Sequence, residues 1–529
     1  MSVKPKLLLL FLWILALVVI SPFGEYPIND DWAYARNIYD LVVNGKFVVD
    51  PWPAMNLISQ TIYGSLFAVV FGFSFTVLRM SIFVLAIITS FILYDLAFKL
   101  SGGKQWVALY VAISFCFSTL FCALSFTFMT DIFFLSFTIL AFNELYKFIH
   151  SKRNINYFLF IFFSVIAVLN RQQGLVIPLL IIIPVFSNKK ISVGNTVKAI
   201  LPLFLCWLAQ DKYVNYLNSN GIGHNIQKID DLWSYLKDTP IASHRLNAGD
   251  TLLVIGWILA PLNVLLLNQF RSFTKKDLIK YSLSVLATIF LVYIALAFYP
   301  TGNISRILEV GPRIIRGSPY PLLSPFWFQA IKIGVAAISL ISIWNSIFFL
   351  FRNKKEIQSK GWGYSFHLPL LFVVVVYFIF VSISKAYFDR YTLPLAFFFA
   401  LWLIPQINFE KMRFKPILIA ILVLVYSFSI FEIKDFHNWQ KERWAALAYL
   451  NKKGISSHDI DGGFEYNGWY KPNRDFSSGD KSWWWVDNDT YLLSHEKIQN
   501  YKTDSLFVFQ RYLPYRQDTI FLLKKLDIQ

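Results

Sequence analysis

Tyr26-Pro27-Ile28-Asn29-Asp30-Asp31-Trp32-Ala33-Tyr34-Ala35-Arg36-Asn37-Ile38-Tyr39-Asp40-Leu41 places two adjacent carboxylates at the head of a segment with helical apolar spacing, Trp32 to Val43. Immediately upstream is an apolar run from Leu7 to Ile20, led by Lys4 and Lys6. Such a run resembles a secretory signal, but no small-residue cleavage site follows, so it reads as an uncleaved first membrane helix. Paired acids just past a membrane helix, followed by an amphipathic helix, would set a general base beside a lipid-borne substrate.

The rest of the chain agrees with a membrane setting. Of 529 residues, 56% are hydrophobic and 18% aromatic, more than a soluble domain carries. About thirteen apolar segments long enough to span a bilayer can be placed. They begin near Leu7, Phe75, Trp106, Asp131, Asn156, Gly174, Val197, Leu252, Tyr281, Pro325, His367, Tyr391 and Pro416. The run from Leu57 to Phe73 contains Gln60 and two glycines and reads as an interfacial helix within a first external loop, residues 23–74.

The net charge of +17 lies mainly in short loops between apolar segments, which argues for membrane topology and against nucleic acid. With the N-terminus inside, alternate loops are basic: Lys99 to Lys104, Lys147 to Arg153, Lys189 to Lys198, Arg271 to Lys280, Arg352 to Lys360 and Lys411 to Lys415. Thirteen spans then put the C-terminus outside. The expected architecture is a polytopic α-helical membrane domain over residues 1–432 and a small extracytoplasmic α/β domain over 433–529. In the latter, Trp439 to Leu450 has helical spacing, and Ser505 to Phe509 and Thr519 to Leu523 have strand character. Cys116, Cys122 and Cys206 fall in apolar segments without a CxxC, so neither a thiolate metal site nor a disulfide framework is indicated.

Several ionisable groups collect at the outer boundaries. Asp30 or Asp31 could simply cap the helix that follows. As an acidic pair they also suit proton transfer, because like charges this close raise one pKa. Asp131 follows Thr130 at the start of an apolar run, where its plain reading is again a helix cap; a carboxylate at membrane depth is costly, however, and usually functional. Arg171 lies between two apolar spans, with interfacial snorkelling as its plain reading. Arg306, Arg313 and Arg316 crowd an external loop that holds one acid, Glu309. Three forked donors there suit an anionic ligand such as phosphate, or else anionic head groups. Lys385, Asp389, Arg390 and Tyr391 mark another outer boundary. Asp459-Ile-Asp461 and Asp487-Asn-Asp489 match DxD, a pattern common by chance, and both lie on the side without cytoplasmic nucleotides. No GxGxxG or GxxxxGK[ST] occurs. Trp483-Trp484-Trp485 reads as core or interface packing before it reads as a sugar platform.

Taken together, these motifs resemble the GT-C glycosyltransferases, in particular the bacterial relatives of the protein O-mannosyltransferases and of the aminoarabinose transferase. Four stretches carry the resemblance in order: Asp30-Asp31-Trp32-Ala33-Tyr34-Ala35-Arg36, Thr130-Asp131, Leu169-Asn170-Arg171-Gln172-Gln173-Gly174 and Arg390-Tyr391-Thr392-Leu393-Pro394. Asp31 departs from the pattern, since many members have Glu there. The phrase Ile460 to Trp469 is similar to the external domain of some bacterial members.

The resemblance implies a polyprenyl-phosphate sugar donor, a glycan, lipid or protein acceptor, and direct displacement with inversion. It implies Asp30 as base, Asp31 and Asp131 as orienting or tuning acids, and Tyr34, Arg171, Arg306, Arg313, Arg316, Lys385 and Arg390 toward substrate. The expected location is the bacterial inner membrane, with the site and the C-terminal domain facing outward. No cofactor is firmly implied and a divalent cation is left open, with no ligand spacing that demands one. Two other readings compete. A transporter or flippase of lipid-linked sugars would show internal repeats with paired broken helices, which the chain lacks. A glycan polymerase or ligase can rely on external arginines without an early acidic pair.

Overall fold

The computed structural model describes residues 3–186, 192–224, 226, 240–266, 274–276, 278–279, 281–283, 285–286, 315–316, 325–352, 367–384, 387–407, 415–470, 485–486 and 488–526. Helix α1, Lys4–Ile20, leads through a short loop to α2, Asp31–Val42. Then come α3, Ile58–Phe71; α4, Phe75–Leu100; α5, Gln105–Cys116; α6, Thr119–Ser125; α7, Thr130–Ser151; and α8, Asn154–Val168. A 3-10 stretch, Gln172–Ile181, runs into α9, Ile182–Phe186, and is followed by α10, Val193–Ser219, and α11, Ile241–Leu266. The later membrane part has α12, Pro325–Arg352; α13, His367–Ser382; and α14, Leu393–Leu403, which is entered by a 3-10 turn at Asp389–Thr392.

Among the described residues, five helices are long and apolar enough to cross a membrane, or six if the bent pair α5–α6 counts as one span. The expected thirteen are therefore not all straight spans, for physical reasons that differ between segments. The segment from Trp106 bends by 70° between α5 and α6. The one from Gly174 holds Pro178 and stays 3-10 for ten residues, since proline removes the donor an α-helix needs. The 17 residues of α1 rise only about 25 Å at 1.5 Å per residue. The segment from Tyr281 lies largely outside the described residues.

The expected interfacial helix is present as α3. It turns Gln60, Thr61, Gly64, Ser65 and Ala68 inward and leaves Ile62, Leu66 and Val69 exposed. Small and polar residues inside with apolar ones outside is the arrangement lipid favours. The bundle core is built from helices such as α14, buried at every position, as a helix that is apolar all round must be. Helices α11 and α12 approach so closely that a Cβ on Gly256 would collide with the Ser339 carbonyl oxygen.

A single helix, α15, Lys415–Lys452, runs from the bundle through the expected boundary at 432/433 without a break. It packs against a four-stranded sheet of order β1-β2-β4-β3: β1, Ile460–Asp461; β2, Tyr491–Ser494; β3, Tyr501–Tyr512; β4, Tyr515–Lys525. The two expected strands lie within β3 and β4, which pair antiparallel up to Tyr512 opposite Tyr515. Asp435 of α15 accepts the Tyr512 and Leu513 N–H groups at 2.7 and 2.9 Å, fixing that hairpin to the helix. Trp439, Leu447, Leu450, Ile460, Phe509 and Ile520 form this domain's own core. Between β1 and β2 the short α16, Phe464–Tyr470, leaves the sheet and lies on α2.

Candidate active site

Asp30 stands at the N-cap of α2, but its side chain makes no capping bond. Its carboxylate is used elsewhere. Oδ1 accepts the Trp52 indole N–H at 3.0 Å, and Oδ2 accepts Arg390 Nη2 at 3.0 Å. The loop after α2 brings Trp52 there by folding back over the helix: the Asp50 N–H donates to Asn37 Oδ1 at 2.8 Å, and Asp50 Oδ1 accepts the Trp52 N–H at 2.9 Å.

Arg390 is shared. Its Nε also lies 3.7 Å from Asp131 Oδ2, so one guanidinium bridges two carboxylates that are far apart in sequence. Asp131, in the first turn of α7, is paired on its other oxygen with Arg171 Nη2 at 2.8 Å. Neither Asp131 as a cap nor Arg171 as a snorkelling cation describes this, for the two side chains are only 1% and 4% exposed. Arg171 Nε donates to the Thr130 hydroxyl at 2.8 Å, and the Tyr391 ring lies 5.2 Å from its guanidinium and 5.6 Å from that of Arg390. Two acids and two arginines thus form an alternating chain, Asp30–Arg390–Asp131–Arg171, whose formal charge sums to zero. Ion pairs this buried demand several partners each to offset desolvation.

The loops behind the chain are tied down by backbone contacts. Asn170 Nδ2 donates to the Thr130 carbonyl at 3.2 Å, the Leu57 N–H donates to the Asn170 carbonyl at 3.0 Å, and Gln60 Nε2 donates to the Phe128 carbonyl at 2.7 Å. Tyr34, on α2, is 1% exposed. Burial first, and Asp30 second, push its hydroxyl pKa well above the ordinary value, so it stays protonated.

Asp31 points away from its neighbour. Oδ2 accepts the Phe128 N–H at 2.9 Å, while Oδ1 has no hydrogen-bond partner. Its pKa is raised to about 7, and burial is the leading cause; the Asp30 charge is the smallest contribution. The sequence reading expected one raised acid in the pair without saying which; the rise falls on Asp31, and the neighbouring charge contributes least to it.

Of the remaining expected site residues, Arg306, Arg313 and Lys385 lie outside the described residues, as do Trp483 and Trp484. Arg316 is described and joins the C-terminal domain instead of the chain at Asp30. Its Nε donates to Asp461 at 3.0 Å, its Nη2 donates to Asp489 at 3.3 Å, and its carbonyl accepts the His495 N–H at 3.0 Å. These two aspartates close the DxD pairs, and here they anchor an intramolecular arginine. Trp52 was not among the expected site residues, and Tyr391 was marked only as a neighbour of Arg390. Asp-Pro-Trp-Pro carries no chemical motif, so nothing local marks Trp52. Among the described residues, no group of three or more His, Cys, Asp or Glu is placed to hold a metal ion.

Residues 63–209, which include Thr130, Asp131 and Arg171, match the family of dolichyl-phosphate-mannose-protein mannosyltransferases. That match runs from within α3 to within α10 and so covers the central membrane helices. No curated protein matches the chain. Among solved structures it is similar to ArnT from Cupriavidus metallidurans in the apo state, at 9% identity and TM-score 0.49 over 99% of this chain and 98% of that one. ArnT bound to undecaprenyl phosphate gives 9% identity and TM-score 0.48 over 98% of both chains. The archaeal oligosaccharyltransferase AglB from Archaeoglobus fulgidus, in complex with an inhibitory peptide and a dolichol-phosphate, gives 13% identity and TM-score 0.38 over 85% of this chain and 58% of that one. The chain is a multi-pass membrane protein.

Proposed function

We propose that this chain transfers a sugar from a polyprenyl-phosphate donor to an acceptor on the outer face of a cytoplasmic membrane, inverting the anomeric carbon. The observation that carries the reading is Arg390, shared between Asp30 and Asp131 beside Arg171. A guanidinium shared between two carboxylates can move one of its contacts onto a phosphate, which also accepts bidentate N–H donors. When a donor phosphate takes Arg390, Asp30 loses its cationic partner and becomes a better proton acceptor. Asp30 then removes the proton of the acceptor hydroxyl as that oxygen attacks the anomeric carbon. The lipid phosphate leaves against Arg390 and Arg171, whose charge offsets the developing charge on its oxygens. Asp131 holds the two arginines in place, and Tyr34, kept protonated, donates to a sugar or phosphate oxygen.

A dolichyl-phosphate sugar is the donor named for the matched family, and it supports the same donor class here. The cations that recur in alternate loops support a site and a C-terminal domain on the outer side. Reporter fusions after Lys275 and after Gln529 should therefore report opposite sides. The decisive test of activity is transfer by the purified chain in lipid vesicles. Transfer of labelled sugar from an undecaprenyl-phosphate donor, and none from the corresponding nucleotide sugar, is expected. Transfer from the nucleotide sugar alone, or movement of intact donor across the vesicle without transfer, rejects the proposal.

A further inference from the structure

Two sets of contacts join the C-terminal domain to the loop that carries Asp30. The first runs through Glu465 of α16. Its Oε1 accepts the backbone N–H of Asn29 at 3.1 Å, and its Oε2 accepts Arg443 Nη1 at 2.7 Å. Both ionic side chains are 0% exposed. Arg443 Nε and Nη2 also reach the Gly462 carbonyl, at 3.2 and 2.6 Å, and Gln440 Nε2 lies 3.4 Å from Glu465 Oε1. The carboxylate is thus fixed on its own domain and spends one strong acceptor on the residue directly ahead of Asp30. That residue sits at φ +54°, a left-handed conformation that asparagine tolerates better than most side-chain-bearing residues.

The second set is aromatic. Phe464 and Trp485 from the C-terminal domain and Trp32 and Trp52 from the first external loop lie with all six ring-centroid separations between 5.0 and 6.0 Å. The domain comes close enough that a Cβ on Gly468 would meet the Trp32 ring at 2.5 Å. Trp52, clamped in this box, is the residue whose indole N–H holds Asp30 Oδ1.

We infer that the C-terminal domain positions the Asp30 carboxylate, through Glu465 on the Asn29 backbone and through Phe464 and Trp485 on Trp52. The inference rests on the reading of Asp30 as the base. Trp52 stays on one oxygen when Arg390 leaves the other for the donor phosphate, so the carboxylate keeps an anchor while the freed oxygen turns its lone pairs to the acceptor proton. Packing of two domains by itself asks for neither an indole donor on a reacting carboxylate nor a buried acid on the preceding backbone N–H. Glu465 and Trp52 are therefore positioning residues: they act through Asp30 and not on substrate.

The test uses the full chain in vesicles with an undecaprenyl-phosphate-linked sugar as probe. Trp52→Phe keeps the ring in its box and removes the N–H. It should lower kcat about 10-fold, the equivalent of one hydrogen bond to a charged group, while KM for the donor stays within about twofold of wild type and the melting temperature holds. Wild-type kcat in a folded Trp52→Phe chain, or a loss that appears only in melting temperature, overturns the inference. A second measurement stands apart from turnover. Glu465→Gln keeps an acceptor oxygen but loses the charge, and amide hydrogen exchange in residues 26–36 should quicken about 10-fold at temperatures where the rest of the chain stays protected. Unchanged exchange there also overturns it. A wild-type chain that moves no sugar from any polyprenyl-phosphate donor rejects the glycosyl-transfer reading instead, and the exchange experiment still decides whether the C-terminal domain fixes this loop.

Discussion

Two groups of buried charge in this molecule use the same residue types to opposite ends. In the C-terminal domain, Arg443 and Glu465 are fully enclosed, and the guanidinium directs its nitrogens to Glu465, the Gly462 carbonyl and Gln440. In the membrane domain, Arg390 is divided between Asp30 at 3.0 Å and Asp131 at 3.7 Å, and Asp30 is 14% exposed. The enclosed pair is a fixture, since any rearrangement would strand a charge in a dry interior. The divided one has an alternative arrangement available, and ligand exchange requires that.

The contrast breaks first at Asp30. Asp30→Asn keeps the shape of the side chain and removes its basicity, so turnover should fall about 100- to 10,000-fold in a chain that melts near the wild-type temperature. Near-normal turnover would move the base to Asp131 or Asp31 and leave the divided arginine without a function. Arg390→Gln comes next: loss of one charge-stabilising donor should cost about 100- to 1,000-fold in kcat, and Arg390→Lys should recover part of it, since lysine restores the charge but not the fork. Equal loss in both would favour a purely structural role.

Asp31 sharpens the comparison with a pH measurement. With its pKa raised to about 7 by burial, the folded chain holds a proton that the unfolded chain releases near pH 4. Stability should accordingly fall as pH rises from about 4 to 7 and level off above that window. Asp31→Asn mimics the protonated form and should flatten this part of a melting-temperature-versus-pH curve; a slope equal to wild type would show that Asp31 is ionised in the fold. The smallest effect belongs to Arg316→Ala. Its half-buried pairs with Asp461 and Asp489 should be worth about 1 kcal/mol in stability, and turnover per folded molecule should not change. A raised KM for the lipid donor would return Arg316 to the substrate site.

What the sequence disclosed follows a physical pattern. Asp30, Asp131, Arg171 and Arg390 stood out one by one because each is an ionisable group at an apolar boundary, where solvation makes it expensive. That they form one chain was not legible, because the contacts join α2, α7, the stretch after α8 and the turn before α14. Arg316 was marked by the same reasoning as Arg390, and a cation at an outer boundary pairs with a protein carboxylate as readily as with a ligand. Trp52 carried no local signal, and Glu465 lay inside the Ile460 to Trp469 phrase without standing out, since an indole between prolines and an acid in a short helix have many ordinary uses. The helices were found by hydropathy, whereas the bend at Phe117–Ser118 and the 3-10 run around Pro178 depend on packing that a composition window does not see.

The bond from the Asn29 backbone to Glu465 joins positions 436 residues apart. During synthesis at about 5–20 residues per second, the ribosome needs roughly 20–90 s to cover that distance. Throughout that interval the acid pair is already made and its last support is not. An unfinished chain can therefore hold every polar group of the membrane cluster and still lack a set carboxylate. Because the brace comes 436 residues after the loop it holds, a product stalled or clipped before Glu465 would sit in the bilayer as a quiet protein and not as an unregulated enzyme.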